Sequence, residues 1–188
     1  MKTKNVKILS LMLVLLMAAA VFASCGRNQS GLNEAQEKQL INIAEAFSEW
    51  GYDYKSGDAL TNSKIEMFVC CLYNDKLTVV RNGFGTIGHD EADEMVKSIL
   101  GVAPAIHKNY SSDGSSPLYS SGTNYYIKVE EPNYVSSEIS DVVLGEDGNY
   151  SATVLLTASE GQTFELHMVF KLNGDSIRVY ECTQYVTR

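Results

Sequence analysis

The C-terminal third of the chain alternates apolar and polar residues in five short segments, a period of two that is typical of β-strands with one buried face. The turn signals between the last segments are an acidic or amide residue followed by glycine, at 147–148, 160–161 and 173–174. The sequence therefore predicts an antiparallel β-meander, with strands at 125–131, 139–144, 150–158, 162–172 and 176–186.

The last two turns test which face of this meander is buried. If 173–174 is a two-residue loop, Phe170 lies opposite Ile177 and Met168 opposite Val179. If 159–161 is a three-residue loop, Leu166 lies opposite Val154. Both registers place the apolar side chains on one face. We expect these side chains to be buried: Leu166, Met168, Phe170, Ile177 and Val179. We expect these to be exposed: Glu165, His167 and Arg178.

The preceding half of the chain shows helical spacing instead. Apolar residues recur at helical intervals over 34–50, and Gly51 is a possible helix stop. A second helix over 65–73, capped by a residue at 61–63, competes with a strand because 67–73 is continuously apolar. A third helix is predicted over 90–100, with acidic residues in its first turns and Gly101 after it.

Helices followed by an antiparallel meander predict an α+β fold, with the N-terminal helices packed on one face of the C-terminal sheet. This element order over 34–188 is similar to the NTF2-like, or cystatin-like, α+β cone, which is found in many exported bacterial lipoproteins. That family includes enzymes, binding modules and oligomerisation domains, so the resemblance implies a fold rather than one function.

The N-terminus carries an export signal. Lys2, Lys4 and Lys7 precede an apolar run over 8–22 that is short for a membrane span. The run ends in Phe22-Ala23-Ser24-Cys25-Gly26, which resembles the lipobox of bacterial lipoproteins; the alternative is a conventional secretory signal with Cys25 incidental.

The lipobox resemblance implies three segments. Residues 1–24 would be a signal peptide, 25–33 a lipidated cysteine and tether, and 34–188 a single domain. The lipid on Cys25 would hold the protein to the outer face of the bacterial cytoplasmic membrane, or to the outer membrane in a diderm cell.

Charge and motifs exclude several function classes. The chain has 15 Lys and Arg against 23 Asp and Glu, a formal charge of −8, so nucleic-acid binding has no electrostatic support.

Residues 83–88 match G-x-G-x-x-G, but the acidic helix start after them would repel phosphate, and we interpret them as a flexible turn into a helix. No zinc, EF-hand or hydrolase spacing occurs, so we expect no metal, no cofactor and no assigned catalytic residue.

Three cysteines remain in the predicted domain. Cys70 and Cys71 are adjacent, so at most one of them could bridge to Cys182. The register places Cys182 opposite Glu165 on the polar face unless a bulge near Tyr180 reverses the alternation. We expect core thiols rather than a disulfide.

Two sets of residues are candidates for a functional site. The register that buries Met168 places Thr153, His167 and Tyr180 in a row on the other face of the sheet, which is either suited to proton transfer or an ordinary solvated face. The second set surrounds the Ser- and Gly-rich segment 109–124, which we expect to be a long surface loop. Its tyrosines are either a recognition surface or anchors for the loop; they are Tyr110, Tyr119, Tyr125 and Tyr126.

The expected function is that of a non-enzymatic, lipid-anchored envelope protein that binds a small ligand or an envelope protein. Two alternatives stay open: an NTF2-like enzyme with a small pocket between helices and sheet, lined by tyrosine and one histidine, or a structural oligomerisation domain.

Overall fold

The computed structural model describes residues 31–107 and 117–187. The predicted signal peptide, Cys25, Tyr110 and residues 108–116 lie outside this part of the chain. Helices in the described part are α1 (Glu34–Trp50), α2 (Asn62–Tyr73) and α3 (His89–Leu100). Strands are β1 (Tyr54–Lys55), β2 (Val79–Arg81), β3 (Phe84–Gly88), β4 (Leu118–Ser121), β5 (Asn124–Lys128), β6 (Tyr134–Leu144), β7 (Tyr150–Ala158), β8 (Thr163–Asn173) and β9 (Ser176–Thr187).

The predicted α+β class is confirmed. The C-terminal meander belongs to a five-stranded sheet of order β1-β9-β8-β7-β6, and α1 packs across its inner face. A second, four-stranded sheet of order β2-β3-β5-β4 lies earlier in the chain. None of the helices in the two described ranges is long and apolar enough to cross a membrane.

The three helices form where the spacing predicts them. Asn33 caps α1 through a capping box with Gln36, and Gly51 ends it in the left-handed conformation at φ 71°. Thr61 caps α2, so the apolar run at 67–73 is helical rather than extended. The packed compact unit begins at Leu32, which is itself buried.

The register of β7 and β8 is confirmed: Leu166 lies opposite Val154 and Phe164 opposite Leu156. The register predicted for β8 and β9 is wrong by two residues, because Asn173 pairs with Ser176 and Phe170 with Val179. A shift of two keeps each side chain on its face. The five side chains predicted to be buried are therefore buried.

A β-bulge in β9 changes the outer face. Val169 pairs with Glu181 while Phe170 pairs with Val179, so Tyr180 is the extra residue. Beyond the bulge the alternation of β9 reverses, which places Cys182 opposite Met168 in the core. Cys70, Cys71 and Cys182 are buried free thiols, as expected.

Arg178 was predicted to be exposed, but it is half-buried, as is Glu165; His167 is exposed as expected. The Arg178 guanidinium lies against Gly101, where a Cβ atom would come within 1.8 Å of Nη2. Arg178 Nη1 donates to the Lys97 carbonyl at 3.1 Å. The side chain therefore caps the C-terminus of α3, where a positive charge is favourable.

The four-stranded sheet corrects two expectations. Residues 84–88 of the G-x-G-x-x-G match form β3 rather than a flexible turn, and a Cβ on Gly85 would lie 2.4 Å from the Leu77 Cβ. The segment 109–124 is not a loop throughout, since β4 occupies 118–121. Leu118 and Ser120 are buried in that strand although the segment is polar overall.

Candidate functional site

A groove of about 510 Å³ lies on the outer face of the five-stranded sheet. It spans strands β6 to β9, and its lining comes mainly from the alternate residues of these strands that point to the outer face. Its lining residues are Asp141, Val143, Ser151, Ala152, Thr153, His167, Met168, Val169, Glu181, Thr183 and Tyr185.

The predicted polar row is present in the groove with one replacement. Thr153 lies opposite His167 in the β7–β8 pair, as expected. His167 lies opposite Thr183 in the β8–β9 pair, so Tyr180 is not a member of the row. The bulge at Tyr180 is the physical reason, since it moves every later residue of β9 by one position.

His167 is held by two neighbours on this face. Its Nε2 atom lies 2.5 Å from Glu165 Oε1, and its ring meets that of Tyr185 edge-on with centroids 5.1 Å apart. The groove thus offers an imidazole paired with a carboxylate, an aromatic ring and the two threonine hydroxyls. These groups can donate and accept hydrogen bonds to one small molecule.

The rim of the groove carries an unusual backbone conformation. Asp141 has φ 52°, in the left-handed region that a non-glycine residue rarely adopts. It lies where the register of β6 against β7 shifts between Ser140 and Val143. The bulge turns a carboxylate toward the groove at the edge of the sheet.

The groove is acidic. Asp141 and Glu181 line it, and Glu165 pairs with its histidine. Among the described residues that line it, none is lysine or arginine. The chain also carries a formal charge of −8, so the groove favours a cation over an anion.

The candidate tyrosines separate into two environments. Tyr119 and Tyr126 lie opposite each other on β4 and β5, with rings stacked at 4.7 Å and only 3° between their planes. Tyr119 also meets Phe84 edge-on at 5.2 Å. Tyr125 is 0% exposed, so it is not part of a recognition surface. The alternation of β5 sends neighbouring tyrosines to opposite faces.

The inward face of Tyr125 completes a cluster that the sequence analysis missed. The rings of His89 and His107 stack at 3.8 Å, and Tyr125 meets both of them edge-on. His89 Nε2 lies 2.9 Å from Ser120 Oγ, and His107 Nε2 lies 2.9 Å from Asp93 Oδ2. No spacing in the sequence signals this cluster, because pairing of β3 with β5 and of β5 with β4 creates it.

Burial lowers the pKa of His89 below its ordinary value, and the adjacent His107 lowers this pKa further. A hydrogen bond to the Asn124 backbone and the charges of Asp93 and Asp90 act in the opposite direction but do not cancel the shift. His89 is only 9% exposed and Ser120 only 5%. The pair has the hydroxyl and base of a nucleophilic dyad, but a substrate could not reach it without displacing Tyr125 or His107. We therefore interpret it as a buried polar cluster that joins α3 to the four-stranded sheet.

A second cavity, of about 340 Å³, lies beside the C-terminal half of α2. Glu49 accepts hydrogen bonds there from the side-chain amides of Asn74 at 2.7 Å and Asn133 at 2.9 Å. Burial raises the pKa of Glu49 above its ordinary value. Burial also raises the pKa of Cys70 and of Cys71 to about 12, so both are neutral thiols at pH 7.

The enzyme alternative requires a small pocket between the helices and the sheet, lined by tyrosine and one histidine. A smaller cavity of about 120 Å³ lies between the helices and includes Tyr73, Lys76 and Met95, but none of the described residues that line it is a histidine. Within the described ranges, no group of three or more His, Cys, Asp and Glu is placed to hold a metal ion.

The chain matches no protein-family model, no curated protein and no solved structure.

Proposed function

We propose that this protein is a lipid-anchored envelope protein whose domain binds a small organic cation in the acidic groove of the five-stranded sheet. The observation that carries the proposal is the convergence of Thr153, His167 and Thr183 in a groove of about 510 Å³ with carboxylates at its rim. The proposal keeps the non-enzymatic interpretation, because this groove offers groups for binding without an activated nucleophile.

Charge supports a cation as the ligand. Asp141 on β6 and Glu181 on β9 lie three strand spacings apart, about 14 Å, so a ligand with two ammonium groups could pair one with each carboxylate. The Tyr185 ring, which is half-exposed, offers a face for a cation–π contact. The threonine hydroxyls of the row would accept hydrogen bonds from the remaining ammonium protons.

The test is isothermal titration of the protein with spermidine at low salt. Asp141→Asn and Glu181→Gln should each weaken binding about fivefold, since the loss of one partly exposed ion pair costs about 1 kcal/mol. Glu138→Gln is the matched control, because Glu138 is an exposed carboxylate of β6 outside the groove. We expect the control to change binding less than twofold.

Two results would contradict the groove as a cation site. Equal weakening by all three variants would mean that spermidine responds only to the overall negative charge. Binding of the neutral polyol myo-inositol in place of spermidine would mean that hydroxyl recognition, not charge, selects the ligand.

The stacked pair of Tyr119 and Tyr126 favours a second candidate, recognition of a sugar or a partner protein on the four-stranded sheet. Parallel aromatic rings at a half-exposed surface give contact area with little loss of side-chain entropy. Tyr119→Ser together with Tyr126→Ser should then weaken capture of a partner from native membranes, while Asp141→Asn should not. The opposite sensitivity favours the groove.

The anchor is tested separately with Cys25→Ser. The sequence Ala23-Ser24-Cys25-Gly26 supports lipidation, so this variant should move from the membrane fraction to the soluble fraction or remain unprocessed. Cys182→Ser, which changes a buried thiol of the domain, should stay with the membrane. Unchanged membrane retention of Cys25→Ser contradicts the lipobox.

A further inference from the structure

We propose that Met67, Cys70 and Cys71 form a binding site for a soft monovalent metal ion, Cu(I), beside α2. The three residues stand at i, i+3 and i+4 of the helix, the spacing that brings side chains to one face. All three line the cavity of about 340 Å³. Two thiols and one thioether thus share one solvent-connected space.

The donor set selects the class of metal. Thiolate and thioether sulfurs are soft ligands that favour Cu(I), whereas carboxylates and carbonyls favour Mg²⁺ and Ca²⁺. The described residues offer no group of three or more His, Cys, Asp and Glu for zinc or a similar ion. A site of two cysteines and a methionine meets the needs of a two- or three-coordinate Cu(I) ion.

An unpartnered polar atom points to an occupant of the same cavity. Asn74 lines it and is only 8% exposed. Its Nδ2 donates to Glu49, but among the described residues its buried Oδ1 has no hydrogen-bond partner. A buried carbonyl oxygen without a partner is costly, so this atom indicates that the cavity has room for a polar occupant beside the sulfur atoms.

Backbone geometry keeps the two thiols available. Adjacent Cα atoms across a trans peptide are about 3.8 Å apart, whereas disulfides usually join Cα atoms about 4.4–6.8 Å apart. Cys70 and Cys71 are free in the helix. Each thiol that binds Cu(I) as a thiolate releases its proton to solvent, and the copper stays in the +1 state, so no oxidant or reductant is consumed.

The accessibility of the site is graded. Met67 is 43% exposed, whereas Cys70 and Cys71 are only 4% and 8% exposed. An arriving ion would meet the thioether first and the thiols second.

The experiment is an anaerobic Cu(I) titration in competition with bicinchoninate. It uses the full chain in detergent with Cys25→Ser as the common background, which removes the lipidation thiol. We expect one Cu(I) per chain. Cys70→Ser and Cys71→Ser should each weaken binding at least 100-fold, and Met67→Leu about tenfold.

Matched controls separate the site from general thiol binding. Cys182→Ala removes a buried thiol elsewhere in the core, and Met95→Leu removes a methionine that is 39% exposed on α3. Both should retain the affinity of the background protein. Thermal melts identify any cysteine variant that fails to fold, and Met67→Leu, at a partly exposed position, keeps the test valid in that case.

Two outcomes overturn the proposal. One is an affinity for Cu(I) that is unchanged in Met67→Leu and in whichever cysteine variants fold. The other is equal loss in Cys182→Ala, which would mean that binding follows thiol number and not this helix face. Since the groove of the five-stranded sheet takes no part, spermidine binding should be unaffected by any of these variants.

Discussion

The two sheets of this protein use the same polar residue types in opposite ways. The five-stranded sheet exposes His167, with a carboxylate beside it and hydroxyls across from it. The four-stranded sheet buries His89, with Ser120 against it and a second histidine stacked on it. The same chemistry is therefore open to ligands on one sheet and enclosed on the other.

Strand alternation alone therefore does not decide whether a histidine can contact a ligand. On the outer face of the five-stranded sheet, none of the described helices covers His167, which is exposed. On the four-stranded sheet His89 begins α3 and lies under Tyr125 and His107. The covering rings make His89 a structural group, and their absence makes His167 a candidate for binding.

The largest loss of stability is expected from a substitution in the core beneath the outer groove. Phe170 is fully buried on the inner face of β8, so Phe170→Ala should lower the free energy of unfolding by about 3–5 kcal/mol. Tyr185→Ala, on the outer face, should lower it by less than about 1 kcal/mol. Urea unfolding monitored by circular dichroism measures both, and equal losses would contradict the two-faced sheet.

The next effect compares the hydroxyls beside the two histidines. Ser120→Ala removes the hydrogen-bond partner of the buried His89 Nε2 and should cost about 1–3 kcal/mol. Thr183→Ala, opposite the exposed His167, should change stability by no more than about 0.5 kcal/mol. If the two losses are similar, His89 finds another partner and the cluster is not a stabilising element.

The pH dependence of folding stability tests whether His89 is a buried structural group. The pKa of His89 is lowered in the folded protein, so the unfolded chain binds more protons and stability should fall as the pH drops below about 6.5. Glu45 and Glu49, whose pKa values are raised by burial, act in the opposite direction as the pH falls. Comparing the wild type with a variant that lacks the His89 imidazole therefore isolates the contribution of His89 to the pH dependence of stability.

His89→Gln should flatten the loss of stability between pH 7.5 and pH 5. Urea midpoints at the two pH values provide the measurement. A wild-type slope retained in His89→Gln would assign the pH dependence to other groups.

The smallest effect concerns the connection between the sheets. Arg178 extends from the five-stranded sheet to the C-terminus of α3, the helix that follows β3 of the other sheet. Arg178→Ala should cost about 0.3–1 kcal/mol, the usual range for a cation at a helix C-terminus. Added salt should reduce this difference, and a loss that does not respond to salt would indicate packing rather than charge.

Much of the five-stranded sheet could be predicted because its turns and its period of two agree. The bounds of α1 and the β7–β8 register follow from local patterns that need no distant partner. The four-stranded sheet was missed because β2, β3 and β4 are short, and because the pairing that joins its two hairpins, β3 with β5, spans α3 and the segment after it. Long-range pairing leaves no local signal of that kind.

The polar row of the groove could also be predicted only in part. Thr153 and His167 follow from the β7–β8 turn, whereas Thr183 required knowledge of the bulge at Tyr180. A bulge inserts one residue without a distinctive sequence, so the row could be placed on β7 and β8 but not on β9. Tyr125 and the histidine cluster depended on the sheet that was not predicted.

The bulge at Tyr180 also sets how β9 tolerates changes in length. Because Tyr180 is the extra residue, loss of its single codon would leave Glu181 opposite Val169 and Cys182 opposite Met168, so each later side chain would keep its face. Loss of the codon for Thr183 would instead turn Gln184 outward and Tyr185 inward. Loss of one codon at residues 174–175 would shorten the turn between β8 and β9, and a different turn type could leave the pairing of the two strands unchanged. In β9, then, in-frame deletions a few codons apart should have very different fates, and the strand should accept removal of Tyr180 more readily than removal of Thr183.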